Sequence, residues 1–531
     1  MTNSEPLSPR PAPSSTFSRL AQAAQWSGLI LGPVLGLLVY TSIGGPSDPA
    51  MPALTESGKR VIALAVVMAT WWLTETIPVS ITALLPVAVL PLLDVGTIQS
   101  AAAPYADKVL FLFLGGFIIG EALRQSGLHR RLALLTLLAV GASPARMVGG
   151  IMLATGFISM WVSNTATTIM MLPIGLSMVA LVEARSRLPG ASESGWTAAA
   201  VRNFGAAIVL GIAYAASIGG IGTPVGSPPN LIMLNYVQHA LHRDIGFGQW
   251  MLVGMPIVAV FLPAAWLLLT RWLHPVRAGE VPGGRTMLRD ELSRLGPVSR
   301  AERATLAVFL FAAAAWIFRK FIADAIGRPL TDEGIAVIAA ISLFVIPIGV
   351  RPRRAVIEYQ HVESLPWGIL LLFGGGLSIA AAMSREGVDI YLGSLFAGLS
   401  HLPMPLLVLI LVSAVTFIGE LTSNAAVVTA LMPVLGAAAV GMGVDPIPLM
   451  LAATLGSSCG FMLPVATPPN ALAYATKRIT QGQMIRTGVL LDIVGIAIVT
   501  AAVVIGARYL APASAPEAPT PPRLPASSAP G

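Results

Sequence analysis

The sequence contains little charge and almost no cysteine. Of its 531 residues, 11% are Asp, Glu, Lys or Arg and 55% are hydrophobic, whereas soluble domains are about 25% charged. The single cysteine, Cys459, excludes a disulfide within the chain. The six histidines are scattered and lack the spacing of a metal site. These shortages argue against a soluble domain, a disulfide-linked fold and a bound transition metal.

Long apolar segments take the place of charged ones. A helix that crosses a bilayer needs about 20 mostly apolar residues, and its backbone groups must pair internally. The sequence therefore predicts an all-α, multi-pass protein of the cell (inner) membrane. The clearest apolar segments lie near residues 26–42, 60–72, 77–93, 109–123, 204–218, 251–273, 304–318, 335–350, 367–383 and 489–505.

Basic residues set the expected orientation. The net charge of +7 comes from clusters near residues 124–131, 185–202, 271–303, 351–354 and 477–486. The positive-inside rule explains such clusters better than binding to nucleic acid does. They predict a cytoplasmic N-terminus and an external C-terminus, although two smaller clusters, Lys59-Arg60 and Arg319-Lys320, argue for the opposite orientation. The polar, Pro/Ser-rich start of the chain predicts no cleavable signal peptide.

Two motifs occur twice in the same order. "VSNTATTIMMLP" at residues 162–173 aligns with "LTSNAAVVTALMP" at 421–433 at an offset of 260, and "SIGGIGTPVGSPPN" at 217–230 aligns with "SSCGFMLPVATPPN" at 457–470 at an offset of 240. A weaker pair, "FLFLGGF" and "LLFGGG", precedes both. We interpret the chain as a duplication. An odd number of crossings in each copy makes the second copy inverted, as in many secondary transporters.

This duplication predicts a division of the chain into six parts. They are a disordered cytoplasmic tail at 1–25, a leading helix and loop at 26–56, a first repeat at 57–275, a cytoplasmic linker at 276–302, a second repeat at 303–510 and a disordered tail at 511–531. Both tails are rich in Pro, Ser and Ala, a composition typical of disorder.

The repeated motifs interrupt apolar segments. Ser and Asn in the middle of residues 143–181 and 402–442 predict two re-entrant hairpins with tips at 163–165 and 423–425, which enter from opposite sides. The Pro-Pro pairs at 228–229 and 468–469 cannot continue a helix. They predict breaks after which a new half-helix begins.

Such tips and breaks bring together two kinds of polar group. Carbonyl and hydroxyl oxygens suit a cation such as sodium, and freed amides at helix N-termini suit an anion. Alternatively, the Ser and Thr hydroxyls bond only to their own helix and the prolines are simple kinks. The paired pattern favours a site, because each Asn amide has four hydrogen bonds to satisfy.

At these residues the chain resembles the divalent anion:sodium symporter (DASS) family. The resemblance lies in Ser163-Asn164-Thr165, in Ser423-Asn424-Ala425 and in "WLTETIP" at residues 72–78, and it extends over about residues 26–510. It implies about eleven transmembrane helices, two opposed re-entrant hairpins and inverted five-helix repeats. It also implies a scaffold domain, a transport domain that moves like an elevator, and a homodimer.

The resemblance also implies the site residues. A first sodium site would use Ser159, Ser163, Asn164 and Gly226, and a second would use Thr422, Asn424 and Ala466. The anion would be held by Asn164, Thr165, Ser227, Ser423, Asn424, Thr467 and Pro468.

The sequence departs from the family pattern at two positions. Ala425 lacks the hydroxyl of the corresponding Thr, and Gly419 lies where a side-chain oxygen serves the second cation site. The neighbouring Glu420 is either hydrogen-bonded to the scaffold or a group that attracts cations or protons.

The predicted function is sodium-coupled symport of a divalent anion, with a C4-dicarboxylate such as succinate as the first choice. Sodium is the coupling ion, and no other cofactor is expected. A sodium-independent exchanger and a sulfate symporter of the same fold remain alternatives. An enzyme would need a nucleophile with its base at membrane depth, and no His lies near either Ser-Asn pair in the sequence. A sensor would not need two polar sites, and no signalling domain is attached.

Overall fold

The described part of the chain is almost entirely helical. The computed structural model describes residues 17–43, 54–186, 195–276, 283–350, 353–396 and 400–510, together with 279, 281 and 398. The first helix begins at Phe17, so residues 17–25 are helical and the tail predicted there is shorter. Ala, Leu, Gln and Arg, which dominate this stretch, favour the helix. The rest of the two predicted tails, 1–16 and 511–531, lies outside the described residues.

Twelve helices of the described residues precede the predicted linker. They are α1 Phe17–Ser42, α2 Glu56–Thr74, α3 Val79–Thr82, α4 Leu85–Leu92, α5 Ile98–Ala102, α6 Lys108–Gln125, α7 Leu128–Val140, α8 Pro144–Ser159, α9 Asn164–Ser186, α10 Ala198–Gly220, α11 Pro228–Ala240 and α12 Phe247–Leu267. A π-helical segment, Leu268–Leu273, continues α12.

Twelve further helices of the described residues follow, and the first two of them begin within the predicted linker. They are α13 Gly284–Arg294, α14 Arg300–Ile317, α15 Arg319–Ile326, α16 Asp332–Val345, α17 Tyr359–Glu363, α18 Trp367–Arg385, α19 Val388–Phe396, α20 Met404–Gly419, α21 Asn424–Met442, α22 Pro446–Ser457, α23 Pro468–Ala475 and α24 Gln481–Leu510.

Six of the described helical segments are long and apolar enough to cross a membrane. A seventh span results if α14 and α15, which meet at a bend of 83°, are counted together. Several shorter helices are equally apolar. The multi-pass helical class is therefore confirmed, while the number of eleven crossings stays a prediction. The six segments are Asn164–Ser186, Ala198–Gly220, Phe247–Leu273, Trp367–Arg385, Asn424–Met442 and Gln481–Leu510.

Two predicted apolar segments are interrupted by proline. Segment 77–93 is divided into α3 and α4, because Pro78 precedes one helix and Pro86 opens the other. In segment 335–350 the helix ends at Val345, and strand β1 (Pro347–Val350) pairs antiparallel with β2 (Arg353–Ala355). Proline disfavours the helical region for the residue before it, and Ile346 is accordingly extended.

The two halves contain the same order of elements around the repeated motifs. Helices α8 and α20 each have 16 residues and end at Ser159 and Gly419, which differ by the offset of 260. The helices that follow the Pro-Pro pairs begin at Pro228 and Pro468, at the offset of 240. The sequence offsets therefore mark equivalent positions in the structure.

Helix α10 lies at the centre of the main hydrophobic core. In an apolar stretch of 18 residues within this helix, 89% of the residues are buried. The helix packs against α8, α9 and α12. The hydroxyl of Tyr214 donates to Phe461 O at 3.0 Å, which connects α10 to the chain between α22 and α23. A second cluster is formed mainly by α2, α4 and α18. The break at the end of α10 is therefore in the interior of the protein.

Candidate functional site

Each Ser-Asn motif lies between the ends of two helices. Helix α8 ends at Ser159 and α9 begins at Asn164; α20 ends at Gly419 and α21 begins at Asn424. The chain is therefore interrupted at 160–163 and 420–423. Of the predicted tips 163–165 and 423–425, only Ser163 and Ser423 lie in these interruptions, and the other two residues of each tip begin α9 and α21. We call residues 160–164 and 420–424, which are each interruption with the first residue of the helix that follows, the first and second tips.

Both Pro-Pro motifs begin a new helix, as predicted. Helix α10 ends at Gly220, a 3-10 turn covers Pro224–Gly226, and α11 starts at Pro228. In the second half, α22 ends at Ser457 and α23 starts at Pro468. We call the intervening segments, 221–227 and 458–467, the first and second breaks. Each break leaves backbone groups without helical partners inside the protein.

The Asn of each Pro-Pro-Asn motif binds the carbonyl groups of its own break. Asn230 Nδ2 donates to Gly220 O and Thr223 O, both at 2.8 Å. Asn470 Nδ2 donates to Gly460 O and to the carbonyl of Leu463, both at 3.1 Å. Both Asn side chains are fully buried. The motifs included these residues, but sequence reasoning gave them no role; their recurrence at the offset of 240 was the available signal.

The first tip meets the first break at a cluster of oxygen atoms. Ser159 Oγ donates to Ala216 O at 2.7 Å. One polar end of the Asn164 amide lies 2.7 Å from Ser159 Oγ, 2.9 Å from Ala216 O and 3.3 Å from Gly226 O. With nitrogen at this end, the amide donates to the two carbonyls. With oxygen there, the amide oxygen lies against three other oxygens, an arrangement that a cation would stabilise.

Glycine makes this close approach possible. A Cβ on Gly220 would lie 2.5 Å from Asn164 Oδ1, and a Cβ on Gly226 would lie 2.6 Å from Gly220 O. Neither position has room for a side chain. The chain therefore offers backbone oxygen atoms directly to the first tip.

The second tip carries buried oxygens of its own. Thr422 Oγ1 and Asn424 Oδ1 are buried and have no hydrogen-bond partner among the described residues. Gly419 replaces the hydroxyl that Ser159 provides in the first half, and a Cβ there would lie 3.2 Å from Asn424 Oδ1. At the second tip, Thr422 Oγ1 and Asn424 Oδ1 therefore lack hydrogen-bond partners among the described residues, whereas the Ser159 hydroxyl beside the first tip is hydrogen-bonded.

Two buried carboxyl groups hold the second break. Glu420 accepts hydrogen bonds from Met462 N and Leu463 N, each at 2.8 Å, and is 2% exposed. Asp492 of α24 accepts from Phe461 N at 3.2 Å. Glu420 is therefore hydrogen-bonded, as in the first of its two expected roles, but its partner is the second break. Asp492 was missed by sequence reasoning, although an acidic residue within an apolar helix was an available signal.

A cavity of about 1220 Å³ is lined by both tips and both breaks. All seven predicted anion-binding residues line it. Of the predicted cation-binding residues, Ser159, Gly226 and Thr422 are absent from its wall, and the first two belong to the buried oxygen cluster at the first tip. The predicted site residues that line the cavity are Ser163, Asn164, Thr165, Ser227, Ser423, Asn424, Ala466, Thr467 and Pro468.

Four helices begin at this cavity. The first residues of α9, α11, α21 and α23, namely Asn164, Pro228, Asn424 and Pro468, all line it. Helix N-termini carry partial positive charge and unpaired N–H groups. Arg124 is the only basic residue among those lining the cavity, and its Nε donates to Glu121 at 2.8 Å. Glu75 and Glu121 also line the cavity, so its side chains supply no net positive charge, and the helix N-termini are the remaining source.

A multi-pass helical protein with a duplicated, internal polar site belongs to the class of membrane transporters. The chain is a member of the sodium:sulfate symporter family, since the model described as "Sodium:sulfate symporter transmembrane region" matches residues 38–511. The family suggested by the Ser-Asn motifs is thus confirmed, and so is the expectation of a transporter rather than an enzyme.

Curated relatives match over nearly the whole chain. The sodium-dependent dicarboxylate transporter SdcS of Staphylococcus aureus (strain bovine RF122 / ET3-1) is 37% identical over 483 residues, which cover 90% of each protein. The protein of the same name from strain MRSA252 is 37% identical over 481 residues, again 90% of each. The crystal structure of the Alcanivorax borkumensis YdaH transporter matches with 16% identity and a TM-score of 0.48, covering 91% of this chain and 97% of that one.

Proposed function

We propose that this protein is a secondary active transporter that carries a C4-dicarboxylate, such as succinate, together with sodium ions. The observation that carries the proposal is the meeting of four helix N-termini at one cavity lined by both tips and both breaks. Such N-termini favour an anion through their aligned peptide dipoles. Those of α9 and α21 also have backbone N–H groups at their first two positions, which the prolines that open α11 and α23 lack. A dicarboxylate has two charged ends, which matches a site built from two similar halves.

The anion would be held mainly by neutral groups. The hydroxyls of Thr165, Ser227, Ser423 and Thr467 line the cavity and can each donate one hydrogen bond. The amides of Asn164 and Asn424 add further donors, and Pro468 provides packing. With so few basic side chains on the wall, co-transported sodium ions would balance the remaining negative charge.

Sodium would bind behind the wall of the cavity, at the contact of tip and break. In the first site, Ser159, Ser163, Asn164 and Gly226 supply hydroxyl, amide and carbonyl oxygens, which are hard ligands. In the second site, the free oxygens of Thr422 and Asn424 and the backbone of Ala466 do so. Asn164 and Asn424 would touch both the cation and the anion, which couples their binding.

The relatives support this choice of substrate and ion. The Staphylococcus aureus proteins are named sodium-dependent dicarboxylate transporters, and they match over 90% of this chain. A sodium-independent exchanger remains an outcome of the test below. A sulfate symporter is also an outcome of that test, because the family description names sulfate.

For the architecture we propose two inverted repeats, each with one re-entrant hairpin. Support comes from the equal lengths of α8 and α20 and from the recurrence of both tips and breaks at constant offsets. The first repeat would cover 57–275 and the second 303–510, after a leading helix and loop at 26–56 and with a cytoplasmic linker at 276–302. The tips and breaks would belong to a moving transport domain. The scaffold, the homodimer and the eleven crossings stay predictions of the family resemblance.

We also propose that the N-terminus is cytoplasmic and the C-terminus external. The basic clusters of the linker and of residues 124–131 support it through the positive-inside rule. Accessibility labelling of single cysteines tests it: Arg289→Cys on α13 should react only from the cytoplasmic side. Labelling of that cysteine from outside would contradict the orientation.

Uptake into proteoliposomes tests the function. Purified protein should accumulate labelled succinate when an inward sodium gradient is applied, and it should fail to do so when potassium replaces sodium. Uptake in potassium only after preloading with dicarboxylate would identify an exchanger. Uptake of sulfate but not of succinate would identify the sulfate symporter.

A further inference from the structure

A hydroxyl and a glycine exchange places between the two halves. On α8, Gly156 lies one helical turn before Ser159. At the offset of 260, the equivalent positions on α20 hold Thr416 and Gly419. The hydroxyl residue is thus the second of the pair in one half and the first in the other. Both hydroxyl side chains are fully buried.

The two hydroxyls donate to equivalent carbonyls. Ser159 Oγ donates to Ala216 O at 2.7 Å, and Thr416 Oγ1 donates to Gly456 O at 3.1 Å. Ala216 and Gly456 differ by the offset of 240, which relates the two breaks. The hydrogen bond at the first site is therefore repeated at the second, from a donor one turn earlier on the helix.

The carbonyl that Thr416 binds belongs to the end of α22, next to the second tip. Gly456 is followed by Ser457, the last residue of α22. A Cβ on Gly419 would lie 3.2 Å from Asn424 Oδ1 and 3.7 Å from Ser457 O, so the end of α22 faces the second tip. The end of α10 is placed in the same way, because Ala216 O lies 2.9 Å from the Asn164 amide.

We propose that Thr416 replaces Ser159 as the hydroxyl residue that positions the backbone carbonyls of the second sodium site. A carbonyl oxygen has two acceptor positions; the Thr416 hydroxyl occupies one and fixes the direction of the other. Thr416 donates from one turn away, and Asn424 Oδ1 has no hydrogen-bond partner among the described residues, so this oxygen stays free for the cation. The inference rests on the proposed sodium coupling and deepens it.

Replacing Thr416 by the isosteric Val tests the role of the hydroxyl. Loss of one buried hydrogen bond, worth about 0.5–1.5 kcal/mol, corresponds to a change in affinity of roughly two- to tenfold. We expect Thr416→Val to raise the sodium concentration for half-maximal uptake by about this factor. Thr416→Ser, which keeps the hydroxyl, should restore the sodium dependence. Thr454→Val is the matched control, because the buried Thr454 hydroxyl donates only within its own helix, to Met450 O at 2.8 Å.

A second-site substitution makes the test specific. Gly419→Ser places a hydroxyl where Ser159 has one, and no atom lies within 3.0 Å of the new Cβ. In the Thr416→Val protein it should return the sodium dependence towards that of the wild type. A well-folded Thr416→Val protein with unchanged sodium dependence would overturn the proposal, and so would a failure of Gly419→Ser to improve a weakened variant.

A binding measurement separates this inference from the proposed transport function. Sodium should raise the melting temperature of the purified wild-type protein, because a ligand bound only to the folded state stabilises it. Thr416→Val should need about two- to tenfold more sodium for the same shift. If the wild type binds sodium in this way but carries no succinate, the substrate proposal fails and the role of Thr416 stands. If sodium produces no shift in the wild type, both fail.

Discussion

Asn470 binds the second break in the same way as Asn230 binds the first. Each side chain donates two hydrogen bonds from Nδ2, one to the glycine carbonyl ten residues earlier and one to the carbonyl seven residues earlier. In a continuous helix the carbonyls of Gly220 and Gly460 would accept from residues 224 and 464, which are prolines and have no N–H. The Asn amide therefore replaces a hydrogen bond that these two prolines remove, and it also pairs a second carbonyl of the break.

Replacing either Asn by Ala should destabilise the protein and stop uptake. Each carbonyl left unpaired in the interior costs about 1–3 kcal/mol, and the shape of the break is lost with it. The melting temperature in detergent and sodium-driven uptake measure the two effects. Asn203→Ala serves as a control, since Asn203 Nδ2 binds Pro275 O at 2.9 Å away from both breaks. Full uptake by Asn230→Ala or Asn470→Ala would show that these bonds do not shape the site.

Asn164→Ala and Asn424→Ala should abolish uptake while leaving the protein folded. Each amide lies at a tip, beside both the cavity and the proposed cation oxygens. Its removal takes away ligands of two partners at once. Labelled uptake and size-exclusion profiles check the two halves of this expectation. Transport at the wild-type rate by either variant would make the tips structural and would refute the site assignment.

Glu420→Gln should loosen the second break. The carboxylate accepts from two adjacent backbone amides, whereas an amide side chain has one acceptor oxygen and turns its NH₂ towards the other donor. We expect a loss of about 1–3 kcal/mol in stability and a matching fall in uptake. Glu363→Gln is the control, because it makes the same carboxylate-to-amide change at an exposed position. Equal melting temperatures for the two variants would contradict the prediction.

Breaking the buried ion pair between Arg131 and Glu302 should be costly. Arg131 Nε lies 2.6 Å from Glu302 Oε1, and the two side chains are 11% and 6% exposed. Removing one partner leaves an unpaired buried charge, at a cost of about 3–5 kcal/mol. Arg131→Met and Glu302→Gln should each lower the melting temperature strongly, and the double variant should be less affected than the sum of the two. Additive effects would show that the pair does not interact in this way.

Ala425→Thr should change the choice among anions. Ala425 lines the cavity directly after Asn424, where the first half has Thr165. A new hydroxyl there adds one hydrogen-bond donor to the wall. Competition of succinate uptake by malate, citrate and sulfate measures the effect. An unchanged competition profile would mean that residue 425 does not face the anion.

The sequence predicted those parts of the site that depend on local chemistry. A proline pair cannot continue a helix but favours the start of one, so the new helices at Pro228 and Pro468 were predictable, and a polar interruption of each apolar segment was predictable as well. The approach of Ala216 O to Asn164, the bond from Thr416 to Gly456 O and the position of Asp492 were not predictable, because each depends on how distant helices pack. The strand at Pro347 was not predicted, because the whole apolar segment 335–350 was interpreted as a helix.

The close contacts of Gly220 and Gly226 with the first tip have an evolutionary consequence. Neither glycine has room for a Cβ, so the main-chain oxygens that they bring to the first tip cannot be moved without disturbing that contact. The wall of the cavity at positions such as 425 is formed by side chains and is open to substitution. In the proposed cation site, the main-chain oxygens are thereby held constant, while side-chain contacts with the cargo can change between related proteins.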